Sequence, residues 1–174
     1  MFSYQNVPEM IRLSSMATWL PFVAAVAIAV TAAGCDSTTA KPDKISANIS
    51  GYNHTPGYIH EFYVNDSWGG NVFAYSGGGK FVCCIVYPAQ WRPELQATVK
   101  WTTSSSDPNA TGDDAVGHWH EVTVPIERYA QPGTRLNVHF LPEGRVRLII
   151  ASSSDWAPGY LGPRLEPKPK DFKW

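Results

Sequence analysis

Three observations predict an all-β fold, a single antiparallel β-sandwich or open barrel of about seven short strands, behind an N-terminal lipoprotein signal peptide. From Ile45 onward, apolar and polar residues alternate with period two over run after run. The chain holds 14 glycines and 14 prolines, many of them between those runs, where they punctuate strands. No window of helical length carries an apolar stripe free of Pro and Gly.

The strands follow in order. Ile45, Ala47 and Ile49 alternate with Ser46, Asn48 and Ser50, and Tyr58 to Val64 is a second run. Gly69-Gly70 then reads as a hairpin turn after Val64-Asn65-Asp66-Ser67-Trp68. Lys80 to Tyr87 is apolar on both faces, which predicts a central strand. Ala97, Val99 and Trp101 alternate with Thr98, Lys100 and Thr102. Ser104 to Gly117 is a loop, and a strand runs from His118 through Val122 and Val124. Leu136, Val138 and Phe140 face one way, as do Val146, Leu148 and Ile150. Pro142-Glu143-Gly144-Arg145 joins these two as a tight hairpin, since proline presets the first turn position and glycine tolerates positive φ.

The segment before the domain reads as an export signal. Ala17 to Gly34 carries no charge and ends in small residues, with Arg12 as the only basic residue ahead of it. Starting at Met10 leaves out Glu9 and gives a short positive n-region; Met1 is the other candidate start. Ala32-Ala33-Gly34-Cys35 resembles the lipobox of bacterial lipoproteins, which implies cleavage before Cys35 and acylation of its sulfur. A plain secreted protein or an uncleaved membrane helix are the rival readings, and an Ala/Val-rich stretch with one Leu weighs against the helix. The organisation is therefore a signal peptide over 1–34, a lipidated tether over 35–44, a β-domain over 45–157 and a Pro-rich extended tail over 158–174. Asp36 resembles an inner-membrane retention signal, but either membrane of a Gram-negative envelope fits.

Net charge is −1, and charged residues make up 17% of the chain. No field of either sign exists to gather nucleic acid. Two cysteines remain after Cys35. Cys83 and Cys84 are adjacent, and alternation along a strand puts one thiol in the core and the other on the opposite face.

Chemistry is sparse. His118-Trp119-His120-Glu121 puts two imidazoles on one strand face, and His54 or His139 would complete a metal site. The cupin-type glutamate is missing, however: Val124 and Pro125 stand where it belongs. Gly77-Gly78-Gly79-Lys80 lacks the spacing and the following helix of a phosphate loop and reads as a turn. There is no Gly-x-Ser-x-Gly elbow. The expectation is a non-enzymatic protein without metal or cofactor. Trp68, Trp119 and Trp156 lie in or near turns and are the candidate partner-binding anchors.

Five phrases together carry a family resemblance: Gly51-Tyr52-Asn53-His54-Thr55; Val64-Asn65-Asp66 with Gly69-Gly70-Asn71; Cys83-Cys84 leading to Pro88 and Trp91-Arg92-Pro93; Val99-Lys100-Trp101; and His139-Phe140-Leu141-Pro142 with Gly144. From about Ile49 to Ser152 the chain resembles a family of small proteobacterial lipoproteins often encoded beside type VI secretion spike and phospholipase-effector genes. The resemblance implies a periplasmic immunity protein, anchored to the membrane through its N-terminal lipid, that binds a secreted phospholipase effector. It brings no catalytic residues. The alternatives are a structural or assembly lipoprotein of the envelope and a metal-binding envelope protein using His118 and His120.

Overall fold

The period-two alternation builds two sheets whose apolar faces meet. The structure is a computed structural model that describes residues 43–115 and 117–173. Among the described residues nine strands follow one another: β1 (Lys44–Asn53), β2 (Tyr58–Val64), β3 (Ser67–Val72), β4 (Ser76–Gly77), β5 (Val82–Pro88), β6 (Gln96–Ser104), β7 (His118–Pro125), β8 (Arg135–Phe140) and β9 (Val146–Ala151). One sheet has the order β4-β1-β8-β9, with β5 also on β1, and the other runs β3-β2-β6-β7. The fold is an all-β sandwich of a five-stranded and a four-stranded sheet.

The core is the set of inward residues of both sheets. Ile49, Leu136, Val138, Phe140 and Leu148 of the first sheet meet Ile59, Phe62, Val64, Val99 and Trp101 of the second, all of them buried. Phe140 packs its ring edge-on to Phe62 at 5.2 Å and lies 5.5 Å from Trp101, so one phenylalanine knits the layers. Gly69 exists for this packing, because a Cβ there would run into the Phe62 ring. Tyr87 ties the end of β5 to the loop before β8, since its hydroxyl accepts the Gly133 amide at 2.9 Å.

Four expectations need correction. The first turn sits at Asn65-Asp66, both at positive φ (45° and 65°), as a tight two-residue hairpin requires, and Gly69-Gly70 lie within β3. Strands β3 and β4 were not visible as runs because glycine and serine dominate them. The run around β5 is an edge strand that pairs only with β1, and its outward Val86 is 67% exposed, so apolarity on both faces did not mean a central place. Finally, β1 pairs with β8 in parallel, Ile49 opposite Leu136, within an otherwise antiparallel sheet. The β8–β9 hairpin forms as expected: Glu143 and Gly144 take positive φ, and the Leu141 amide donates to the Arg145 carbonyl.

The tail from Pro158 has neither helix nor strand among its described residues, yet it is not free of the domain. Tyr160 is buried against β8, and Phe172 meets Tyr75 edge-on at 5.2 Å. The outward residues Ser50, Tyr52, Asn137 and His139 of the five-stranded sheet are consequently buried as well.

Candidate functional site

The four-stranded sheet turns a row of aromatic side chains outward. Cross-strand register sets Tyr63 on β2 beside Trp68 on β3 and Lys100 on β6, Lys100 opposite Glu121, and Trp119 on β7 opposite Thr102. Trp68 and Trp119 are about half exposed, at 52% and 51%. The Lys100 ammonium lies 4.7 Å from the centre of the Trp119 ring, and Tyr63 lies 6.4 Å from it. The Tyr63 hydroxyl donates to Glu61 at 2.7 Å, which raises the phenol above its ordinary range because the carboxylate holds its proton. Large rigid rings with lysine and glutamate around them suit a protein contact, with the rings as anchors and the charges as rim.

Two of the three predicted anchors, Trp68 and Trp119, therefore share a face. Trp156 does not join them. It is 78% exposed on the C-terminal segment, whose neighbouring Asp155 and Tyr160 lie on the outer face of the other sheet. Cys35 lies outside the described residues. Tyr63 and Lys100 were missed from sequence; the alternation that puts Lys100 outward was legible, but the register bringing it to Trp119 was not.

His118 and His120 are both engaged on β7. His118 Nε2 meets the Asp113 carbonyl at 3.1 Å, while His120 Nε2 meets Thr103 Oγ1 at 2.8 Å and its ring stacks on Trp101. Of the two residues considered as a third ligand, His139 lies on β8 of the five-stranded sheet and His54 directly follows β1. Among the described residues no three His, Cys, Asp or Glu side chains gather to hold an ion.

His54 and His139 instead meet each other under the C-terminal segment. His54 Nε2 and His139 Nδ1 are 2.9 Å apart, and His139 Nε2 reaches the Tyr160 hydroxyl, which also accepts Asn137 Nδ2 at 3.1 Å. His139 thus bridges the Tyr160 hydroxyl and His54 through its two ring nitrogens. Burial is the first reason that His139 falls to about 3, with His54 and Arg147 adding to it, so the ring is neutral. Burial likewise lowers His54 and raises Tyr160 and Tyr52. Tyr52 stacks on His139 at 4.5 Å. The phrases around Tyr52-Asn53-His54 and His139-Phe140 thus converge because β1 and β8 are neighbours, a pairing that spacing in sequence did not reveal.

Cys83 and Cys84 form a disulfide with each other across a cis peptide bond, in place of the two separated thiols expected from alternation. The cis bond removes the trans alternation that would send the side chains to opposite faces. The edge position of β5 leaves Cys83 exposed.

No match to this chain was found among curated proteins or solved structures. The model of a family described as protein of unknown function (DUF3304) matches residues 52–148, more than half of the chain, from Tyr52 of the buried cluster to Leu148 of β9 and across the whole aromatic face. The chain belongs to the DUF3304 family.

Proposed function

We propose that the protein is a lipid-anchored periplasmic binding module of the immunity type, which neutralises a type VI secretion phospholipase effector by direct contact. The observation that carries this reading is the row Trp68, Tyr63, Trp119 and Lys100 on the outer face of the four-stranded sheet, its tryptophans half-exposed where the opposite sheet is covered by its own C-terminal segment. A contact of standard size, about 800 Å² per partner, fits one sheet face of such a domain. Trp156, exposed on the C-terminal segment away from Trp68 and Trp119, takes no part in this contact. Acylation at Cys35 concentrates the module at the phospholipid surface that the effector attacks.

Co-expression of the full chain with the neighbouring phospholipase, directed to the periplasm, tests the reading. Survival with a co-purifying complex is expected. Trp68→Ala combined with Trp119→Ala should abolish both while leaving the melting temperature within a few degrees, as exposed anchors cost little to the fold. Cys35→Ser should move the protein out of the membrane fraction. Lysis at normal expression without a complex would replace this reading by that of a structural envelope lipoprotein.

A further inference from the structure

The side of the sandwich opposite Trp68 and Trp119 carries the most exposed large apolar side chains among the described residues: Leu161 at 83%, Trp156 at 78% and Val86 at 67%. Single exposed apolar residues need no explanation, but several on one side mark a contact. Val86 lies opposite Ser46 of β1, between the buried Ile85 and Tyr87, and so points to the outer side of the five-stranded sheet. Trp156 and Leu161 belong to the C-terminal segment that covers that same side through Tyr160. The proposed effector contact uses none of the three.

The segment is tied down where it presents these side chains. The Ser153 carbonyl accepts Asn137 Nδ2 at 3.3 Å, and a Cβ on Gly162 would run into the Ile149 side chain. Within the segment, the Ala157 amide donates to the Ser154 carbonyl at 3.1 Å and the Leu165 amide to Asp155 Oδ2 at 3.1 Å. Arg164 Nη2 donates to the Ala157 carbonyl at 3.2 Å. Tyr160 is turned to the sheet, while Leu161 beside it and Trp156 are turned to solvent.

Charge selects the partner. Residues 163–173 hold Arg164, Lys168, Lys170 and Lys173 against Glu166 and Asp171, whereas residues 43–162 hold eight Lys and Arg against eleven Asp and Glu. A positive stretch therefore lies on a negative domain. Arg164, Lys170 and Lys173 are exposed, and Lys168 lies over the Phe172 ring. A tryptophan and a leucine beside exposed cations suit a phospholipid surface, where rings sit at headgroup level and cations meet phosphates. Seven residues separate Cys35 from Asp43, and fully extended they span less than about 30 Å, so acylation at Cys35 would hold the domain that close to the bilayer. We propose that the C-terminal segment is a membrane-contact surface, with Trp156 and Leu161 in the headgroup layer of an anionic phospholipid membrane and Arg164, Lys170 and Lys173 on its phosphates. This rests on the reading of a lipid-anchored protein and adds an orientation to it: the face with Trp68 and Trp119 turns away from the bilayer, open to a partner.

The test is flotation of the unacylated mature chain, beginning at Asp36 and checked for its strand signature by circular dichroism. The vesicles are phosphatidylcholine alone or mixed with phosphatidylglycerol. The chain should float with the mixed vesicles, far less with the neutral ones, and come off in high salt. Trp156→Ala should weaken partitioning about tenfold. Lys170→Gln and Lys173→Gln should each weaken it about fivefold. All three side chains are exposed, so the melting temperature should stay put. Absence of flotation overturns the proposal, as does equal flotation with both vesicles. Flotation that falls with Trp68→Ala and Trp119→Ala but not with Trp156→Ala overturns it too, since the other sheet would then be the lipid contact. No effector and no acyl chain takes part, so failure of the immunity reading or of the anchor shows in co-expression and Cys35→Ser fractionation instead.

Discussion

His139 has no exposed surface and lies between His54 and the Tyr160 hydroxyl, with Tyr52 stacked on its ring and Arg147 nearby. In the folded chain it stays neutral down to about 3, whereas in the unfolded chain it takes up a proton near the ordinary histidine value of 6.5. Between those two values the unfolded state binds more protons, so the stability present above pH 6.5 is lost as the pH falls toward 3. One proton gives a slope of at most about 1.4 kcal/mol per pH unit. His54, lowered in the same direction, adds to it. Urea unfolding between pH 7.5 and 4 should show this decline. His139→Gln should start from a lower stability at neutral pH and decline less steeply; an unchanged slope would mean that the titrating group lies elsewhere. The cluster was only partly legible beforehand. Tyr52, His54 and His139 stood in the phrases that carry the family resemblance, but period-two alternation assigns Ser50, Tyr52, Asn137 and His139 to a solvent-facing side. What buries them is a segment without periodicity, Tyr160 and its neighbours, which the alternation along β1 and β8 does not encode.

The β2–β3 hairpin shows why element positions were easier to read than turns and partners. The β2 run is apolar at Ile59, Phe62 and Val64, and its limits follow from composition. Its turn was misplaced because two glycines compete with Asn65-Asp66 as the turn signal, and packing decided between them: Gly69 is needed flat against Phe62. Asn65 does more than turn the chain. Its amide donates to the Thr98 carbonyl, and its Oδ1 accepts the Thr98 amide at 2.9 Å, so the turn is clipped to β6. Asn65→Ala removes that acceptor and puts a less tolerant residue at positive φ, and a loss of about 1–3 kcal/mol is expected in chemical denaturation. Asn65→Gly relieves the φ but not the lost bond and should fall between the two. The same limit applied to β5: a strand's apolar faces report packing against other layers, while its place in the sheet depends on pairing, which composition does not encode.

At the scale of the molecule, the two outer faces have been treated differently. One carries half-exposed tryptophans, and the other is closed by residues beyond Ser152 through Tyr160 and, further along, Phe172 against Tyr75. Deleting residues 154–174 should leave the sandwich and its far-ultraviolet signature in place. The melting temperature should drop, and binding of an apolar dye should rise as Ile149 and Tyr52 become accessible, since both are buried in the intact chain. Loss of all folded signal would instead make the segment part of the core. The parallel pairing of β1 with β8 has a consequence for how the chain reaches this state. Ile49 waits for Leu136, roughly 87 residues later, and closing a loop of that length costs about 4 kcal/mol before any contact repays it. The four-stranded sheet closes shorter loops, because β2–β3 is a local hairpin, β6–β7 spans only one loop, and β2 meets β6 with Val64 opposite Val99. Pulse-labelled hydrogen exchange should find the amides of β2, β3, β6 and β7 protected ahead of those of β1 and β8. A chain built this way leaves one edge of its first strand vacant until β8 has been made, so the order of synthesis alone does not assemble the five-stranded sheet.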